Sequence, residues 1–176
     1  LGDVYKRQVI YSPCYYGELE YDIRLAAELD GLCAVRYPRG CEKKDPGLDY
    51  TGDYTVLSGS GKKAIVTYGR LFSDALEAKE QVSDVNIVKL NKIYPISDEL
   101  IKTLKGYGEI HFFEESVKNG GIGELCAAKL LESGYNGIYR IHAVDNKFVP
   151  TATVTSAIAG CGLDTDSMIS AVKNDE

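Results

Sequence analysis

Apolar residues fall into two alternating rhythms along this chain. Val9-Ile10-Tyr11 is a short apolar run that stops at Ser12-Pro13 and reads as a strand. From Glu18 to Leu29 the apolar positions Leu19, Ile23, Ala26 and Ala27 recur at helical spacing, which predicts a helix closed by Gly31. Leu32 to Tyr37 reads as the next strand. It must stop at Pro38, which has no N–H to give to a ladder. This β-α-β unit is too small to fold alone. A charged, aperiodic linker with Pro46 comes next, from Gly40 to about Gly52, and a domain boundary is expected within it.

Beyond the linker, strand and helix alternate steadily. Lys63–Tyr68, Val85–Leu90, Glu109–Phe113 and Ile138–Val144 are compact apolar runs. Between them lie predicted helices from Ser73, as cap, to Val82, from Asp98 to Leu104 capped by Ser97, and from the glycines 120, 121 and 123 to Ser133, ended by Gly134. Thr153–Gly160 and Asp166–Lys173 read as closing helices, with Asp164-Thr165-Asp166 as a helix start. Continuous apolar strands between helices predict an α/β fold, a mostly parallel sheet flanked by helices.

Composition narrows the functional classes. A net charge of −6 and a pI near 5.0, with no basic stripe, exclude nucleic acid and anionic membranes as main partners. No apolar run reaches bilayer length. The five cysteines, Cys14, Cys33, Cys41, Cys126 and Cys161, have no CxxC spacing, which argues against a disulfide framework and a zinc site. Cys33 and Cys126 read as small buried residues, and cytoplasm is the expected compartment. The chain opens on Leu1, and Leu1 to Gln8 is a charged stretch that fits poorly with the strand after it. A piece of a longer protein, with an assembly scar at its start, is the expectation.

Ligands of an open α/β sheet bind beyond the carboxyl ends of its strands. The candidates there are Arg39, Gly69-Arg70, Glu114-Glu115 and Asp145-Asn146. Arg39, at a strand mouth beside Gly40, has the permanent planar charge that suits a phosphate or carboxylate, and Arg36 lies close by. Glu114 and Glu115 form a carboxylate pair, for which caps and salt bridges are a simpler role than acid/base chemistry. The glycine turn lacks phosphate-cradle spacing. His111 and His142 each read as isolated structural histidines. No nucleophile elbow, P-loop or metal motif occurs, so neither a catalytic residue, a cofactor ligand nor a metal ligand is assigned.

The segments YSPCYYGELEYDIRLA (11–26), AVRYPRG (34–40), AIVTYGRLFSDALEA (64–78), VNIVKLNKIYPIS (85–97), HFFEESVKNGGIGE (111–124), VDNKFVP (144–150) and GLDTDSM (162–168) resemble, in order and spacing, the 1-deoxy-D-xylulose-5-phosphate synthase family within the transketolase group. The resemblance implies that residues 9–40 are the tail of a pyrimidine-binding domain, 41–53 a linker and 54–176 a transketolase C-terminal domain. It implies a homodimeric transferase that joins pyruvate to glyceraldehyde 3-phosphate with loss of carbon dioxide, feeding isoprenoid, thiamine and pyridoxal synthesis. Thiamine diphosphate and Mg2+ would carry that chemistry, held by residues upstream of this chain, which alone is expected to be inactive. One role transfers: the arginine of Pro-Arg-Gly binds the phosphate of the aldehyde acceptor, which is Arg39 here, with Arg36 in support or in a structural pair. Many relatives carry His or Gln where Thr151 stands, so no role is given to that loop. Another transketolase-like enzyme, or a non-catalytic α/β dimerisation module, remains an alternative.

Overall fold

The computed structural model describes residues 8–43 and 45–173, so all of the doubtful opening segment except Gln8 lies outside them. Three strands form a small mixed sheet. β1 (Val9–Tyr11) pairs in parallel with β2 (Cys33–Val35) through α1 (Tyr16–Glu28), the expected β-α-β unit. Its third member is β6 (Lys92–Tyr94), which comes from the second block and runs antiparallel to β1.

The larger sheet has the order β3-β5-β4-β7-β8. Its strands are β3 (Tyr54–Leu57), β4 (Lys63–Tyr68), β5 (Asn86–Leu90), β7 (Glu109–Val117) and β8 (Ile138–Val144). All pairs are parallel except β3 with β5. Around it lie α2 (Leu71–Gln81), α3 (Asp98–Leu104), α4 (Ile122–Glu132), α5 (Val154–Gly160) and α6 (Thr165–Lys173). Two cores result. Ile65, Ile87 and Phe113 pack with α2 and α6 on one face, and Val66, Val88 and Phe112 with α3 and α4 on the other. Burial on both faces explains why these strands are apolar without alternation.

Several local expectations need correction. Neither β3 nor β6 was foreseen, because each is a three- or four-residue strand with only partly apolar composition. Helix α1 ends at Glu28 with Leu29 extended, so Gly31 does not cap it. Its buried residues are Glu18 and Asp22, whereas Ile23 is 54% exposed, the reverse of the apolar stripe read from periodicity. Ser73 lies inside α2 and caps nothing; its hydroxyl meets Cys14 Sγ at 3.5 Å and Tyr15 Oη at 3.4 Å. β7 continues to Val117, so Glu114 and Glu115 stand within a strand rather than after one. Ser97 does cap α3, accepting from the Leu100 amide at 3.3 Å. Of the two cysteines expected inside, Cys126 is buried and Cys33 only half-buried, while Cys14 is buried.

Candidate functional site: a cleft beside Arg39

The chain leaves β2 as Arg36-Tyr37-Pro38-Arg39-Gly40. Arg36 still donates its amide to Tyr11 O at 2.9 Å, and the ladder then stops at Pro38. Gly40 takes φ +118°, a conformation that favours glycine, and the chain swings across the N-terminal end of α2. A cleft of about 370 Å3 opens there, walled by Cys14, Arg39, Lys43, Arg70, Asp74 and Ile158. It lies between the β-α-β unit and helices α2 and α5.

The charges around this cleft are not equivalent. Lys43 is held by Asp74 at 3.2 Å and Glu77 at 2.8 Å. Arg70 Nε lies 2.9 Å from Glu115. Asp164 accepts from the Ser167 amide at the start of α6. Arg39 is exposed and makes no ion pair or hydrogen bond with any described residue. It is the uncommitted guanidinium of the cleft, and an anion entering there meets a donor fork with no partner to displace. Arg36 sits elsewhere. Its guanidinium carbon is 5.9 Å from the Tyr68 ring centroid, and it lines a neighbouring cavity of about 170 Å3 with Ser12, Gly69 and Glu115. Arg70 borders both cavities and joins them. Lys43 and Cys14 escaped sequence reasoning; one lies in an aperiodic linker, the other in a turn, and neither carries a motif.

The carboxylate pair divides into two roles. Glu114 is fully buried and accepts from Tyr68 Oη at 2.9 Å and from the amides of Ile122 and Gly123 at 3.0 and 3.1 Å. It thus satisfies the open N-terminal amides of α4 and complements that end's partial positive charge. A Cβ at Gly121 would strike this carboxylate, and one at Gly123 would come within 3.0 Å of it. The glycines therefore make room for Glu114 rather than for a phosphate. Glu115 holds Arg70 at the cleft; burial pushes its carboxyl up, against the pull of Arg70. Asp145 is tied to Lys147 at 3.0 Å on the surface.

The two histidines are not isolated. His111 Nδ1 and His142 Nε2 are 3.0 Å apart across β7 and β8, and His111 Nε2 lies 3.1 Å from Glu109. His142 also stacks on Phe113 with centroids 4.2 Å apart. Burial, then His111, Arg140 and Lys118, push His142 down to about 4, and burial lowers His111 as well. Both are thus neutral in the fold at pH 7, while an unfolded chain takes up protons near 6.5. The unfolded state then binds more protons below that point, so stability is complete above pH 6.5 and lost as pH falls toward 4. Denaturation midpoints measured across this window should fall with pH, and His142→Leu should flatten the fall. An unchanged slope in that variant contradicts the assignment.

Among the described residues no group of three or more His, Cys, Asp or Glu side chains could hold a metal ion. Glu42, Asp74 and Asp164 border the cleft, but Asp74 is engaged by Lys43 and Asp164 by the Ser167 amide, so no residue of this cleft is assigned to Mg2+ or to a diphosphate. None of the described helices is long and apolar enough to cross a membrane.

Comparison with known proteins agrees with this architecture. Residues 52–161 match the family described as transketolase, C-terminal domain. The 1-deoxy-D-xylulose-5-phosphate synthase of Campylobacter hominis is 30% identical over 160 residues, covering 84% of this chain and 26% of that protein. The enzyme of the same name from Haemophilus influenzae is 30% identical over 174 residues, 94% of this chain and 27% of its own length. The chain thus spans about a quarter of these curated relatives. Among solved structures, "Split gene transketolase, inactive beta4 tetramer" superposes with a TM-score of 0.81 at 23% identity, covering 95% of this chain and 57% of that one. Transketolase from Leishmania mexicana gives 0.74 at 13% identity, over 95% and 25% of the two chains.

Proposed function

The chain belongs to the family of transketolase C-terminal domains, and from that premise we propose that it is the C-terminal part of a 1-deoxy-D-xylulose-5-phosphate synthase. In this reading residues 9–40 complete a pyrimidine-binding domain, 41–53 link it onward, and 54–176 form the C-terminal domain. The reaction is condensation of pyruvate with glyceraldehyde 3-phosphate with loss of carbon dioxide, in a cytoplasmic homodimer. Thiamine diphosphate and Mg2+ supply the carbanion chemistry from other parts of the enzyme. This chain contributes the acceptor's phosphate contact. Arg39 receives the phosphate as a charge-assisted donor, and Arg36 adds positive potential from the adjoining cavity. The observation that carries the reading is the guanidinium of Arg39, unpaired among the described residues, on a cleft at the junction of the two blocks.

The test is a graft. The chain replaces the matching 27% of the Haemophilus influenzae relative, and product formation from pyruvate and glyceraldehyde 3-phosphate is measured. Activity is expected from the graft and none from the chain alone. A folded graft without activity, or product from the isolated chain, overturns the proposal. A second reading keeps the chemistry but supplies the remaining domains on a separate chain, an arrangement in line with the words "split gene" attached to the structural neighbour. Mixing this chain with a separately expressed remainder of the enzyme tests it by the same assay.

A further inference from the structure

Helix α1 turns two acids toward the larger sheet, and the sheet answers with two polar residues. Glu18 and Asp22, four apart on the helix, share one face; Lys89 and Asn91, two apart at the end of β5, share another. All four are at most 3% exposed. Lys89 Nζ pairs with Glu18, and Asn91 Nδ2 donates to Asp22 Oδ1 at 2.8 Å. Buried charges are expensive unless paired, and a cluster of this kind specifies how two elements dock. Glu18 has a further ligand: its Oε2 accepts the Cys14 amide at 2.6 Å. Cys14 belongs to the turn that leaves β1, and it lines the Arg39 cleft. The same turn is sewn to its surroundings by Ser12 N to Asn91 O at 2.7 Å, Ser12 Oγ to Arg36 O at 3.3 Å and Gly69 N to Ser12 O at 3.3 Å.

We propose that Glu18 and Lys89 are positioning residues that latch the Ser12–Tyr15 turn, and with it Cys14, into the wall of the cleft. Without the Lys89 cation, Glu18 is a buried charge with no counter-ion. It must turn away or take up a proton, and either change weakens its hold on the Cys14 amide. Gln at position 18 keeps a carbonyl oxygen for that amide and needs no cation, so a neutral pair should restore the turn.

Alkylation of the full chain by N-ethylmaleimide, resolved by peptide mass spectrometry, reads the latch directly. Cys14 is 6% exposed and Cys126 is fully buried in the opposite core, which makes Cys126 an internal reference for global opening. Lys89→Met should raise the Cys14 rate about tenfold relative to Cys126. The Glu18→Gln/Lys89→Met double variant should return to within about threefold of the parent. Equal acceleration at both cysteines means the pair supports the whole fold rather than the turn, and no acceleration means there is no latch; either result overturns the proposal. Its effect on anion binding rests on the role proposed for Arg39. Titration of the parent chain with inorganic phosphate separates the two, since absence of binding removes that role and leaves the labelling result intact.

Discussion

Arg39→Ala in the grafted enzyme is expected to lower kcat/KM for glyceraldehyde 3-phosphate by roughly ten- to a hundredfold, the range set by losing a charge-assisted contact of about 1.5–3 kcal/mol. The loss should appear chiefly in KM for the acceptor, because the phosphate is bound both before and during reaction and takes no part in bond making. Pyruvate kinetics should stay close to those of the parent. Arg39→Lys keeps the charge but not the fork, and should recover only part of the loss. Arg36→Ala is expected to cost less than Arg39→Ala, since Arg36 lies over the Tyr68 ring and in the adjoining cavity. Acceptor kinetics unchanged by Arg39→Ala would remove the phosphate role from this residue.

The second large effect concerns stability. Glu114→Ala removes the acceptor for three donors at once, Tyr68 Oη and the amides of Ile122 and Gly123. These groups are enclosed between β4, β7 and the start of α4, where replacement by water is restricted. A loss of about 3–5 kcal/mol is expected, on the scale of buried donors left without partners. In a domain of this size that is a fall in Tm of roughly 10 °C. Glu115→Gln is the natural comparison. Glu115 and Arg70 are each about one-third exposed or somewhat less, and losing such a pair should cost no more than about 1 kcal/mol. Thermal melts of the two variants side by side decide the matter. Equal and small shifts would mean that Glu114 does not anchor α4.

This contrast shows what a sequence can and cannot disclose. Glu114 and Glu115 are chemically identical neighbours, and only the side of β7 that each faces separates an anchor from a surface pair. Caps and loop ends were legible where local chemistry decides them. Pro38 lacks an amide and Ser97 bonds three residues ahead, so both act within one turn of chain. The β8 boundaries come from a run of β-favouring residues, Ile138 to Val144, that follows the glycine-bounded turn at Gly137. What escaped was set by distant partners. His111 and His142 are 31 residues apart and meet only because β7 and β8 lie in parallel register. The polar face of α1 is buried because Lys89 and Asn91 lie opposite it, and periodicity alone cannot announce a counter-ion. At the cleft, Arg39 was visible beside Pro38 and Gly40, whereas Lys43 and Cys14 reach it only through the path of the linker and the turn.

Strand β6 is on loan from the second block to the small sheet, where it pairs with β1. The cut that composition invites, near Gly52, would run through that loan. A protein begun there would expose the bare hydrogen-bonding edge of β6 and leave the amine of Lys89, sealed in the intact chain, without its acid. Engineers wishing to swap this domain between enzymes should therefore move β1, α1 and β2 together with it, since the pairing of β6 and the seal on Lys89 both reach across the seam that composition marks.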